Sequence, residues 1–316
     1  MKRRAILAAA ALLAAPAVRA QERPLRLIIP FAPGGAADNT ARTIARHLPE
    51  LLSVPVVAEN RPGGNGMIGV DAVAKAAPDG STLVLSALGA LVVNPHVMRT
   101  AYDPLADLAP VTLAVRNPLV LVANPALPAR SVAEMLVLAR ARPGELAVGS
   151  SGTGSTNHLA IELLNLMAGV RLTHVPYRGE GPAMTDLVGG QIQMVMTTIV
   201  AARGHIEGGR AVVLATAAAE RTGILPGVPT IAEGGVPGYA ADAWLGVLAP
   251  ARTPAATVAR LNAAITEVLR RPDIATQLRA QGSDPAPGSA EEFAAYLRAE
   301  YEKYGRLVRQ VDLKME

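Results

Sequence analysis

Twice along this chain an apolar strand runs into a glycine-rich loop that opens a helix. Leu25 to Pro30 leads into Phe31-Ala32-Pro33-Gly34-Gly35-Ala36-Ala37-Asp38, and Glu145 to Val148 leads into Gly149-Ser150-Ser151-Gly152-Thr153-Gly154-Ser155. Such a turn leaves backbone N–H groups unpaired at a helix start, where the helix dipole also favours negative charge. One such loop is a common turn. Two of them, roughly half a chain apart, point to two halves of one site that grips an anion from both sides.

Around these turns strands alternate with helices. Strands are expected at Leu25–Pro30, Val54–Ala58 and Thr82–Ser86, with helices at 38–52 and 66–76 between them. Val111–Val115 and Leu119–Ala123 read as fully buried strands. Asn117-Pro118 and Asn124-Pro125 beside them are turn signals that could mark a crossing between domains. A second run follows: helix 131–141, the strand at Leu146, helix 155–167, strand 172–176, helix 182–188, and strands 192–197, 211–216 and 243–249. Three helices over 254–269, 273–280 and 290–311 end the chain, the last with a capping box in Ser289-Ala290-Glu291-Glu292. This alternation predicts an α/β fold with parallel or mixed sheets covered on both faces.

The first twenty residues read as a secretory signal. Met1-Lys2-Arg3-Arg4 is a basic start, Ala5 to Ala15 a short apolar stretch, and Val18-Arg19-Ala20 a small-residue cleavage site. The stretch is too short for a spanning helix, which needs about 20 residues. Removing Lys2, Arg3, Arg4 and Arg19 from the 30 basic residues leaves 26, against 26 acidic ones. The mature chain is formally neutral, so the basic precursor carries no argument for nucleic acid. There is no cysteine, which excludes disulfides, thiolate chemistry and cysteine-based metal sites. Cleavage after Ala20 leaves 296 residues, enough for two domains of ordinary size.

Several segments, taken in order, resemble one family. They are Ile29-Pro30-Phe31-Ala32-Pro33-Gly34-Gly35, Glu59-Asn60-Arg61-Pro62-Gly63-Gly64, Ala76-Ala77-Pro78-Asp79-Gly80 and Gly149-Ser150-Ser151-Gly152-Thr153-Gly154-Ser155. His174-Val175-Pro176-Tyr177-Arg178-Gly179, Leu225 to Glu233 and Ala249-Pro250-Ala251-Arg252-Thr253-Pro254 complete the set. The chain resembles, over essentially its whole mature length, the substrate-binding proteins of tripartite tricarboxylate transporters, the Bug family. The resemblance implies a type II periplasmic binding protein: two α/β lobes with a ligand cleft between them. Lobe 1 would comprise 21–123 plus 232–316 and lobe 2 would comprise 124–231, after a cleaved signal at 1–20. It also implies a soluble, monomeric periplasmic receptor that delivers a small organic anion, a mono-, di- or tricarboxylate, to integral-membrane permease subunits. No cofactor, metal or nucleic acid is expected, nor any catalytic residue.

The candidate ligand-binding residues follow from this layout. In lobe 1 they are Phe31, Pro33, Gly34 and Gly35 on the first loop, and Ser86, Leu88 and Gly89 after the third strand, the edge where α/β folds bind ligands. In lobe 2 they are Ser150, Ser151, Gly152, Thr153, Gly154, Ser155 and His158, with Tyr177 at a strand end. Asp38 reads as a helix cap. Where family members usually carry an acid facing the cleft this chain has Thr197, and where they have serine before the single tryptophan, Trp244, it has Ala243; Thr197 and Trp244 are therefore further cleft candidates. Charge-assisted hydrogen bonds contribute about 1.5–3 kcal/mol each, so a handful supports micromolar binding, roughly −8 kcal/mol.

Two other functions compete. A ligand-sensing receptor for a signalling kinase would share the same cleft. A secreted serine hydrolase would need a Gly-x-Ser-x-Gly elbow, which is missing, and a histidine with a partner acid, which the five histidines do not advertise. The glycine loop lacks the lysine of a nucleotide P-loop.

Overall fold

The computed structural model describes residues 23–310; the signal segment lies outside the described residues. In chain order the elements begin with β1 (Leu25–Ile29), α1 (Ala36–Leu52), β2 (Val56–Asn60), α2 (Met67–Ala74), β3 (Thr82–Ala87), α3 (Asn94–Val97) and β4 (Leu108–Asn117). They continue with β5 (Leu119–Ala123), α4 (Val132–Ala141), β6 (Ala147–Ser150), α5 (Thr156–Ala168), β7 (Thr173–Pro176), α6 (Glu180–Val188), β8 (Met194–Thr198), α7 (Ile199–Glu207) and β9 (Val212–Thr216). They end with β10 (Ala243–Pro250), α8 (Ala255–Arg270), α9 (Pro272–Ala280), β11 (Asp284–Pro285) and α10 (Ala290–Gln310).

Two mixed sheets result, ordered β11-β4-β10-β3-β1-β2 and β7-β6-β8-β5-β9. In each, the strands carrying the βα turns run parallel and one strand arriving from the other lobe is inserted antiparallel: β10 beside β3, and β5 beside β8. The inner strands β1, β3, β5 and β8 are buried on both faces, which is why they read as near-continuous apolar runs. Along β1, Leu25, Leu27 and Ile29 meet α1, α8 and α9, whereas Ile28 points to the opposite core with α2 and α10. That opposite core continues into the second lobe through α4 and α5. Helices α6 and α7 close the last face, over Val120, Val122 and Val195.

The sheets divide the chain at different points from those the sequence suggested. Residues 119–123 were expected in lobe 1, yet β5 hydrogen-bonds to β8 and β9 in the second sheet. The crossing is therefore Asn117-Pro118, not Asn124-Pro125. Asn124 instead builds a local turn, accepting the Ala126 N–H at 2.8 Å and donating to Leu187 O at 2.6 Å. The return boundary also moves. Residues 232–241 pack on lobe 2, with Gly234 against Val132 and the Tyr239 hydroxyl on Ala160 O at 2.8 Å. Helix α7 was missed by the sequence reading; a single cap, Thr198 Oγ1 accepting from Ala201 N, starts it. The Ser289 capping box forms as expected, with Ser289 N on Glu292 Oε2 at 2.8 Å and Glu292 N on Ser289 Oγ at 3.1 Å.

Candidate functional site

Strand register decides where the glycine loops point. Ala243 pairs with Asn117 and Leu245 with Ala87, so the C-terminal ends of β3 and its parallel neighbour β1 lie at the level where the chain crosses. In the second sheet Leu119, the first residue after the crossing, pairs with Thr198 at the C-terminal end of β8, and β8 runs parallel to β6. Both glycine loops therefore leave their sheets on the side of the crossing, where ligands sit in open α/β sheets.

In lobe 1, Pro33, Gly34, Gly35 and Ala36 are exposed, and Phe31 is half-buried. Gly66, at φ +91°, lets the Phe31 ring lie against its backbone: a Cβ there would sit 3.3 Å from Phe31 Cζ. Helix α1 starts at Gly35 without a side-chain cap, so the N–H groups of its first turn remain available to an external acceptor. The Gly34 N–H is already taken: it donates to Asp38 Oδ2 at 3.0 Å. Asp38 is buried and also accepts from Arg42 Nε at 3.0 Å and Asn60 Nδ2 at 2.9 Å. Arg42 is the main cause that holds its carboxyl down at about 2, with Gly34 and Asn60 adding to it against burial. Asn60 further donates to Phe31 O at 3.1 Å and accepts from Arg42 Nη2 at 2.7 Å. Sequence treated Asp38 as a cap and Asn60 as loop architecture; together they brace the first glycine loop.

After β3, Ser86 is fully buried and its Oγ has no hydrogen-bond partner. Leu88 is buried as core, and Gly89 opens a π-helical turn through Val93, an irregularity frequent at functional sites.

In lobe 2, Ser151, Gly152, Gly154 and Ser155 are half-buried and Thr153 is exposed. Gly152 is held at φ +133°, with its missing Cβ 3.2 Å from Tyr177 O. Ser155 caps α5, accepting from His158 N at 3.2 Å and donating to Gly152 O at 2.7 Å. Ser150 is fully buried beneath the loop: its Oγ accepts from Gly152 N at 3.1 Å and lies 2.6 Å from His174 Nε2. The His158 and His174 rings stack with centroids 3.8 Å apart, and Gly154 N donates to His158 Nδ1 at 3.0 Å. Burial, reinforced by the neighbouring His158, pushes His174 down to about 4. The Tyr177 hydroxyl donates to Asp186 at 2.7 Å; burial and then Asp186 push it up to about 12.

One group at this rim was not singled out from the sequence. Glu180, at the start of α6, accepts from Thr198 N at 3.0 Å, Thr198 Oγ1 at 2.6 Å and Asn157 Nδ2 at 2.9 Å. It ties the N-termini of α5, α6 and α7 together.

Six sequence candidates sit inside the protein, Ser86 among them. Ser150 and His158 support the second loop from beneath, and Leu88 belongs to the core. Thr197, expected to face the cleft, is fully buried opposite Val120, in the core under α6 and α7, and its Oγ1 is unpartnered. Trp244 is 1% exposed, packed edge-on against Phe293 and Tyr296 with Nε1 donating to Glu300 at 3.3 Å. The apolar face of β10 claims it for α10.

Comparison with known proteins agrees with this architecture. The family model for the tripartite tricarboxylate transporter family receptor matches residues 40–313. The chain is 38% identical to the protein BugT of Bordetella pertussis over 296 residues, 93% of this chain and 91% of that one. Among solved structures, an R. palustris protein with adipate is 36% identical with a TM-score of 0.74, covering 93% of this chain and 98% of that one. A Polaromonas TctC solute-binding protein without ligand is 27% identical, yet its TM-score is 0.84, over 92% of this chain and 99% of that one. The match across 40–313 and the near-complete overlap with these relatives make the chain a member of the tripartite tricarboxylate transporter receptor family.

Proposed function

We propose that this protein is a periplasmic receptor that closes its two lobes on a small organic carboxylate and delivers it to integral-membrane permease subunits. The observation that carries the reading is the pair of glycine loops, one per lobe, both opening at a helix start on the side of the crossing, the first of them without a side-chain cap. Solved relatives at 36% and 33% identity carry adipate and malate, both dicarboxylates. The receptor acts as a monomer, reaches the periplasm through the cleaved signal at 1–20, and uses no cofactor.

Ser150 and His174 have the spacing of a nucleophile and its base, but the serine oxygen is fully buried and already bonded to Gly152. A nucleophile must reach its substrate, so this geometry favours support of the loop over hydrolysis.

A thermal-shift panel of adipate, malate, citrate and monocarboxylates tests the reading. A carboxylate at about 100 times its dissociation constant adds roughly 2.7 kcal/mol of stability, a shift of several degrees. A panel in which no carboxylate raises Tm sinks it.

A further inference from the structure

We propose that the stacked His158–His174 pair is a proton-coupled latch on the second glycine loop, so that capture of a carboxylate there takes up a proton. This rests on the carboxylate reading above.

The geometry fixes the tautomer. Gly154 N–H donates to His158 Nδ1 at 3.0 Å, so Nδ1 is unprotonated. The ring proton then sits on Nε2, which faces Glu162 Oε1 at 3.5 Å. In this state the loop satisfies its own donor: Gly154 N–H points down to the histidine instead of out to a ligand. A proton added at Nδ1 turns that acceptor into a donor and releases the Gly154 N–H. It also places a positive charge directly beneath the loop.

The surroundings admit one such charge. The titratable groups facing the pair are Glu162, on the same helix as His158, and each ring for the other. Two imidazolium rings stacked at 3.8 Å repel, so the pair takes a single proton. The charge is better placed on His158, whose Nε2 has Glu162 Oε1 at 3.5 Å; His174, pushed down by burial and by His158, has its Nε2 2.6 Å from the neutral Ser150 Oγ. Ser150 in turn accepts from Gly152 N, so His174 holds the loop's first N–H in place while His158 controls its second. An anion seated on Ser151 and the released Gly154 N–H stabilises the imidazolium, and by linkage the imidazolium strengthens the anion's binding.

The test has two arms. In the ligand-free protein, the Gly154 amide is followed by NMR from pH 8 to 5. It should shift as His158 protonates and stay still in His158→Gln, whose amide oxygen can accept the same hydrogen bond without titrating. A stationary amide in the native protein, or an equal shift in the variant, overturns the latch. In the second arm adipate affinity is measured at pH 8 and pH 6. The native protein should bind at least about fivefold more tightly at pH 6, with the variant flat; equal native affinities overturn the coupling. If neither adipate nor malate binds at all, the carboxylate reading fails, while the Gly154 amide still decides the latch.

Discussion

Asn60 donates from Nδ2 to Asp38 Oδ1 at 2.9 Å and to Phe31 O at 3.1 Å, so one side chain from the end of β2 clamps both ends of the first glycine loop. Asp38 completes the clamp by taking the Gly34 N–H. Asp38→Ala removes the acceptor for three donors and should cost about 2 kcal/mol of stability, read as a lower denaturation midpoint with unchanged slope. The carboxyl is held below its ordinary value. A depressed acid stabilises the fold above its unfolded value near 3.8 and loses that effect as pH falls toward about 2. The gap between native and variant should therefore close across that window. A constant gap down to pH 2 would assign the cost to packing alone.

Gly152 sits at φ +133° with Tyr177 O where a Cβ would press. Any L-residue there must shift the loop. Gly152→Ala should lower stability by about 1–2 kcal/mol while abolishing the Tm increase from whichever panel carboxylate stabilises the native protein. Retained ligand stabilisation would reduce the second loop to architecture.

Both glycine loops were legible in the sequence because their signals are local: glycines at a turn, serine at a helix start, apolar runs before them. The capping box at Ser289 was legible for the same reason. What the sequence hid depends on pairing distant residues. Ser150 meets His174 only because β6 and β7 run side by side, with Val148 opposite His174. Asn60 meets Asp38 only because β1 and β2 pair. Thr197 illustrates the reverse: side chains alternate along β8, and its register opposite Val120 turns it into the core. Helix α7 escaped notice because nine residues with β-branched Ile199 and Val200 and an internal Gly204 carry weak helical propensity; Thr198 and the packing of α6 supply what propensity lacks.

Trp244 is a structural residue of lobe 1. Its ring meets Phe293 and Tyr296 at centroid distances of 5.8 Å, and Gly246 leaves room beside it for the Phe293 ring. Trp244→Ala should cost about 3–5 kcal/mol, and Trp244→Phe clearly less. The indole fluorescence should resist acrylamide quenching equally with and without a stabilising carboxylate. Quenching that changes on ligand addition would bring the indole back to the cleft.

The two crossing strands are tied at the hinge by Arg116 and Asp242. Arg116 Nη1 donates to Asp242 Oδ2 at 3.3 Å and to the Tyr296 hydroxyl at 3.0 Å, with the guanidinium 4.7 Å from that ring's centroid. Asp242 is buried, its Oδ1 has no partner, and buried Glu300 adds like charge nearby. Burial outweighs Arg116, and the carboxyl is pushed up to about 6. A raised acid favours the fold below its unfolded value near 3.8 and loses that contribution as pH rises through about 6. Relative to Asp242→Asn, which does not titrate, the native protein should lose about 2–3 kcal/mol between pH 4 and pH 7. Urea midpoints at pH 4, 5, 6 and 7 measure it. A native-minus-variant difference that grows with pH would mean that the Arg116 pair dominates over burial, and that the hinge is held by its ion pair.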